Sequence, residues 1–117
     1  LHLAEVTLYD AAGAPIPASA LNVTSANFLP DLPAARCADG RADTVCHSAS
    51  GAAWLRLSYA CAGGRTSLSK VVVANRPDGG LQYRLNAYRI EFLDASGTAD
   101  RPPFQFSGGL TNYTVTP

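Results

Sequence analysis

Apolar and polar residues alternate with a period of two along much of this chain, and helical periodicity appears almost nowhere. Ala4, Val6 and Leu8 alternate with Glu5, Thr7 and Tyr9 before Asp10-Ala11-Ala12-Gly13 turns the chain. Leu55, Leu57 and Tyr59 alternate with Trp54, Arg56 and Ser58. Val71-Val72-Val73 is apolar on both faces, as expected of a central strand. An alternating stretch through Tyr88, Ile90 and Phe92 ends in Asp94-Ala95-Ser96-Gly97. Phe104 and Phe106, then Leu110, Tyr113 and Val115, supply the last short strands. Between Ala12 and Ser50 the text is loop-like, with Pro15, Pro17, Pro30 and Pro33, and Leu21, Phe28 and Leu32 are expected to hold it against the body. Short strands joined by turns, without crossover helices, predict an all-β fold: an antiparallel β-sandwich of the jelly-roll kind.

Length and charge narrow the classes. A chain of 117 residues and 12.2 kDa is one domain, spanning 1–117. Nine basic residues balance nine acidic ones, so no clustered positive charge marks a nucleic-acid or anionic-membrane partner. No apolar run reaches membrane-spanning length, and membrane insertion is not expected. Lys70 is the only lysine; the other bases are arginines, suited to planar bidentate hydrogen bonding. With no initiator methionine and no signal-peptide pattern, the chain is expected to be a mature fragment or an excised module of something longer.

Cys37 and Cys46 flank the polar loop ADGRADTV and could clip it, while Cys61 could pair with either. Zinc is a poor reading, since no CxxC occurs and His47 would need distant partners. Asn22-Val23-Thr24 and Asn112-Tyr113-Thr114 are glycosylation sequons. A disulfide together with sequons points to an extracellular, secreted or cell-surface location.

The chemistry concentrates in Val71–Leu93. An apolar strand ends in Asn75-Arg76-Pro77-Asp78, a glycine-bearing loop follows, and Arg84-Leu85-Asn86-Ala87 leads into the next strand. Guanidinium forks beside a carboxylate can hold vicinal sugar hydroxyls or a ligand carboxylate; the plainer reading is an ion pair that stiffens the loop. His47 either donates to a sugar from the same rim or bonds locally. Asp39, Asp43 and Thr44 surround a glycine turn, which offers either a calcium site or a simple Asx-rich turn. Trp54 borders a core strand and is expected to pack, leaving Tyr83 as the better stacking candidate. Catalysis finds little support: Cys46 and His47 are adjacent and would point to opposite faces of a strand, and no G-x-S-x-G, HExxH or phosphate loop occurs.

Taken in order, these pieces resemble the discoidin family, the galactose-binding-like jelly roll of coagulation-factor C domains, fucose-binding lectins and carbohydrate-binding modules. The matching segments are Leu3-Ala4-Glu5-Val6 to Gly13, Asp39-Gly40 with Asp43-Thr44, Cys46-His47-Ser48, Trp54-Leu55-Arg56-Leu57, Val71 to Asp78, Arg84-Leu85-Asn86-Ala87, and Ile90 to Asp94. The resemblance implies that His47, Arg76 and Arg84 bind sugar and that Asp78 supports the loop. It also implies that the family's structural calcium, where present, lies near Asp39 to Thr44. Gly79-Gly80 stands where fucose-binding members carry paired cysteines, and Asp78 to Arg84 is one residue longer than in them.

The expectation is therefore a non-catalytic, lectin-like carbohydrate-binding module that recognises glycans or glycoproteins, with calcium as its one candidate cofactor. The alternative is a structural module of a cell-surface, matrix or surface-filament protein that contacts neighbouring domains of the same or another protein. A secreted enzyme is a distant third.

Overall fold

The computed structural model describes residues 1–59 and 68–117. The fold is all-β. Its strands are β1 (His2–Tyr9), β2 (Leu21–Ala26), β3 (Cys46–His47), β4 (Trp54–Tyr59), β5 (Lys70–Asn75), β6 (Arg89–Ile90), β7 (Phe104–Gln105) and β8 (Asn112–Val115). Every pairing among the described residues is antiparallel. A four-stranded sheet runs β3-β1-β5-β8, and β2-β4 and β6-β7 form two smaller ones. Short 3-10 turns at Ala18–Ala20, Ala34–Ala38 and Gln82–Ala87 punctuate the connections.

The four-stranded sheet buries one face. Leu3, Val6 and Leu8 from β1, Val71 and Val73 from β5, and Tyr113 and Val115 from β8 form a core with Phe106, Leu85, Cys37 and Cys46. Val73 is 2% exposed, as befits the middle of the central strand. Phe106 meets Tyr113 edge-on, with ring centroids 4.9 Å apart. The inward side chains of the smaller sheet, Leu21, Leu55, Leu57 and Tyr59, pack against that core half-buried.

Two sequence expectations are corrected. The Ala12–Ser50 stretch is not all loop: Leu21–Ala26 is a strand, laddered residue for residue from Leu21↔Tyr59 to Ala26↔Trp54. Its composition is small and polar because only Leu21, Val23 and Ala26 turn even partly inward, so its alternation is faint. Trp54 does not pack inside; it is 50% exposed, on the solvent side of β4 with Arg56 and Ser58. Period-two alternation puts Trp54 on the same face as Arg56 and Ser58.

Phe28, Leu29 and Leu32 tie the long connection down. Phe28 bridges Ser48, the Leu29 amide donates to the His47 carbonyl at 3.0 Å, and the His47 amide to the Leu32 carbonyl at 3.0 Å. A disulfide joins Cys37 to Cys46 across a sequence separation of nine. Both cysteines are fully buried, so the cross-link anchors the Ala34–Ala38 turn to the edge of the main sheet. Cys61 lies outside the described residues.

Candidate functional site

The site forms where the β1, β3 and β5 ends meet the Gln82–Ala87 turn. Register brings His2 of β1 directly opposite His47 of β3. On the other side of β1, Leu3 pairs with Asn75 and Glu5 with Ala74, so Ala4 is the extra residue of a bulge. A bulge sharpens the local twist and re-aims neighbouring side chains, here at the strand end that carries His2.

Asn75 holds the next wall. It is 3% exposed, and its side-chain amide donates to the Gln82 carbonyl at 3.0 Å and the Leu110 carbonyl at 2.9 Å. Its Oδ1 accepts the Arg76 amide at 2.8 Å. One buried side chain thus closes the 76–82 loop and pins the 107–111 loop beside it. The latter loop is further fixed by Tyr113, whose hydroxyl donates to the Ser107 carbonyl at 2.8 Å and accepts the Leu110 amide at 2.9 Å. Gly109 permits the close approach, since a Cβ there would meet the Tyr83 backbone at 3.1 Å.

Arg76 leaves this frame pointing inward, 7% exposed. Its Nε and Nη2 engage both oxygens of Asp78 at 2.9 and 2.5 Å, while Nη1 has no hydrogen-bond partner among the described residues. The Asp78 side chain is half-exposed, and the Arg76 fork holds its carboxyl down at about 2. Arg84 projects from the Gln82–Ala87 turn, where Leu85 is buried as the anchor. Among the described residues the Arg84 guanidinium forms neither an ion pair nor a hydrogen bond.

These groups line one pocket of about 250 Å³, walled by His2, His47, Arg76, Arg84, Leu85 and Tyr88, with Leu1, Asn75 and Ala87 completing it. The His2 and His47 rings lie 4.5 Å apart between centroids, tilted by 43°. Nδ1 of His47 donates to the Ser48 carbonyl at 2.6 Å, which leaves its Nε2 free to face a ligand. Both ring nitrogens of His2 are enclosed without a partner. Burial, and then the Arg76 charge, push the His2 imidazolium down to about 4, so at neutral pH the ring is uncharged.

Of the residues singled out in the sequence, His47, Arg76 and Arg84 come together, and Asp78 stands behind Arg76. Tyr83 is 57% exposed and does not line the pocket. Gly79-Gly80 makes the outer bend: Gly80 adopts φ +83, and a Cβ at either position would meet nothing within 4 Å. His2, Asn75 and Tyr88 went unmarked in the sequence. The signal for His2 is positional, because it opens the strand that pairs with the Cys46-His47 segment.

Asp39, Asp43 and Thr44 lie away from the pocket. Asp43 gives both oxygens to Arg41, at 3.0 and 2.9 Å, and Thr44 donates to Asp39 at 2.8 Å. No three acidic, histidine or cysteine side chains gather at one point among the described residues. Calcium binding would need Asp43 to leave Arg41 and Thr44 to turn from Asp39. Asn22 and Asn112 are both exposed, on β2 and β8. No helix among the described residues is long and apolar enough to cross a membrane.

Comparison with protein-family models, with curated proteins and with solved structures gives no match.

Proposed function

We propose that this chain is a non-catalytic glycan-binding module with a discoidin-like jelly-roll fold, gripping sugar through the His47–Arg76–Arg84 pocket. One observation carries the reading: three polar residues 29 and 8 positions apart along the chain line a single pocket with an apolar floor at Leu85. Such a lining, mostly apolar with a few convergent hydrogen-bonding groups, is what small-ligand sites share. Tyr88 adds a ring wall of the kind sugars stack on. The ligand is held by protein groups alone. An extracellular setting is supported by the buried Cys37–Cys46 disulfide and by exposed sequon asparagines.

A glycan array followed by calorimetric titration tests this reading. The wild type is expected to bind at least one oligosaccharide class, and Arg76→Ala and Arg84→Ala are each expected to lower affinity tenfold or more. Unchanged affinity in both variants would remove the site.

A second reading, a structural module that contacts neighbouring protein, is favoured by Trp54. It lies half-exposed on the outer face of the β2–β4 sheet, with the Arg56 guanidinium 5.9 Å from its ring centroid. Large exposed aromatics beside arginine are typical of protein contact surfaces. Loss of partner binding in Trp54→Ala, with glycan binding absent in the wild type, is the outcome expected from that reading.

A further inference from the structure

The charge balance of the pocket narrows the class of glycan. Among its lining residues there is no carboxylate, and the one acidic group nearby, Asp78, is already engaged through both oxygens by Arg76. Arg84 therefore contributes an uncompensated positive charge. Guanidinium groups only donate hydrogen bonds. A neutral pyranose offers hydroxyls that both donate and accept, so it uses such a group incompletely. An oxyanion that accepts only, and accepts in pairs, matches the fork of Arg84 and the spare Nη1 of Arg76.

His2 lines the pocket beside His47, but both its ring nitrogens are enclosed and out of a ligand's reach. The pocket's size sets the remaining limit. At about 250 Å³ it lies below the roughly 300–1,000 Å³ of sites for drug-sized ligands, which suits a single sugar ring and not a length of chain.

Resting on the glycan-binding reading above, we propose that the pocket recognises a carboxylate-bearing sugar residue, a uronate, with Arg84 and the free edge of Arg76 holding the carboxylate. In this arrangement Asp78 keeps Arg76 in position without touching the ligand.

The test is calorimetric titration with four kinds of oligosaccharide probe of equal length, each in gluco and galacto series: a uronate, its methyl ester, the neutral parent sugar and a sulfated form. The uronate is expected to bind at least tenfold more tightly than its methyl ester, with the preference shrinking as salt rises from about 0.05 to 0.5 M. Arg84→Gln is expected to abolish the acid-over-ester preference, and Arg84→Lys to restore only part of it. Arg84 is exposed and bonded to nothing among the described residues, so these variants leave the fold intact, which thermal unfolding checks directly. Equal binding of acid and ester would overturn the uronate assignment while leaving glycan binding standing. Preference for the sulfated probe over the uronate would overturn it in favour of a sulfated ligand. Failure of all four probes to bind would overturn the glycan reading together with it.

Discussion

Glu5 and His2 sit on the same strand and carry opposite protonation costs. Burial, followed by the neighbouring Asp39 carboxylate, pushes Glu5 up to about 7 from an ordinary 4.5. One of its oxygens accepts the Gly40 amide at 3.3 Å, and the other is enclosed without a partner. The folded state thus holds this proton at pH values where the unfolded chain has released it, and stability falls as pH rises from about 4.5 to 7. His2 runs the other way. The unfolded chain takes up its proton near 6.5 and the folded state only near 4, so stability falls as pH drops through that window. Glu5→Gln is expected to stabilise the protein at pH 8 by about 1 kcal/mol once partial exposure is allowed for, or roughly 4 °C in Tm. His2→Gln is expected to flatten the acid-side loss between pH 6.5 and 4 without that alkaline gain. Melting curves of the two variants against pH separate the contributions; parallel curves for wild type and Glu5→Gln would contradict the first. Neither shift was legible in the sequence, because each depends on which group a fold brings near. The Arg76–Asp78 pair was legible, since an arginine and a carboxylate two residues apart in a tight loop reach each other locally.

Among the elements, β1, β4, β5 and β8 were readable because each presents alternating or continuous apolar positions to the core. β2 was hidden by its small residues and by the prolines around it. The stretch from Tyr88 to Phe92 alternates as a strand should, yet only Arg89–Ile90 is laddered, against Gln105 and Phe104. Before it, Arg84–Ala87 forms part of a 3-10 turn. That turn is secured from outside its own sequence: Gln105 Nε2 donates to the Asn86 and Tyr88 carbonyls, both at 2.8 Å, and Asn86 Oδ1 accepts the Gly109 amide at 3.2 Å. Long-range bonds of this kind leave no local trace. The central strand sets the stability of the main sheet. Val73→Ala removes two methyl groups from a side chain packed on all sides, and is expected to cost about 2–3 kcal/mol in urea unfolding. Asn75→Ala would leave the Gln82 and Leu110 carbonyls without their side-chain donor, at an expected cost of about 2–3 kcal/mol. It should also weaken ligand binding, because both pocket-side loops lose their common brace. Stability loss with unchanged affinity would show that the loops hold their shape without it.

At the scale of the whole molecule, an all-β body carries a long, mostly irregular connection from Asp10 to Ala53 against one sheet edge. The Cys37–Cys46 disulfide fixes that connection to β3. Sequence left three cysteines with several pairings; the placement of the Ala34–Ala38 turn beside β3 is what decides between them. Closing a loop of nine residues removes unfolded-chain entropy worth about 2.5 kcal/mol. Cys37→Ser with Cys46→Ser is expected to lose about that much, and because His47 follows Cys46 directly, to loosen the pocket as well. A double variant with wild-type unfolding free energy would contradict the first expectation. The same assembly explains why the site was only partly legible. His47, Arg76 and Arg84 stood out as residue types suited to holding a sugar, whereas His2 enters through strand register and Asn75 through burial. Pairing and burial are properties of the whole fold.

The central claim is that this one pocket binds glycan, and titration of the wild type, Arg76→Ala and Arg84→Ala against the oligosaccharides selected by a glycan array tests it most directly. Saturable binding by the wild type, weakened tenfold or more in each variant with the fold intact by circular dichroism, is the expected result. An array without a binder, or a binder held equally well by all three proteins, would contradict it.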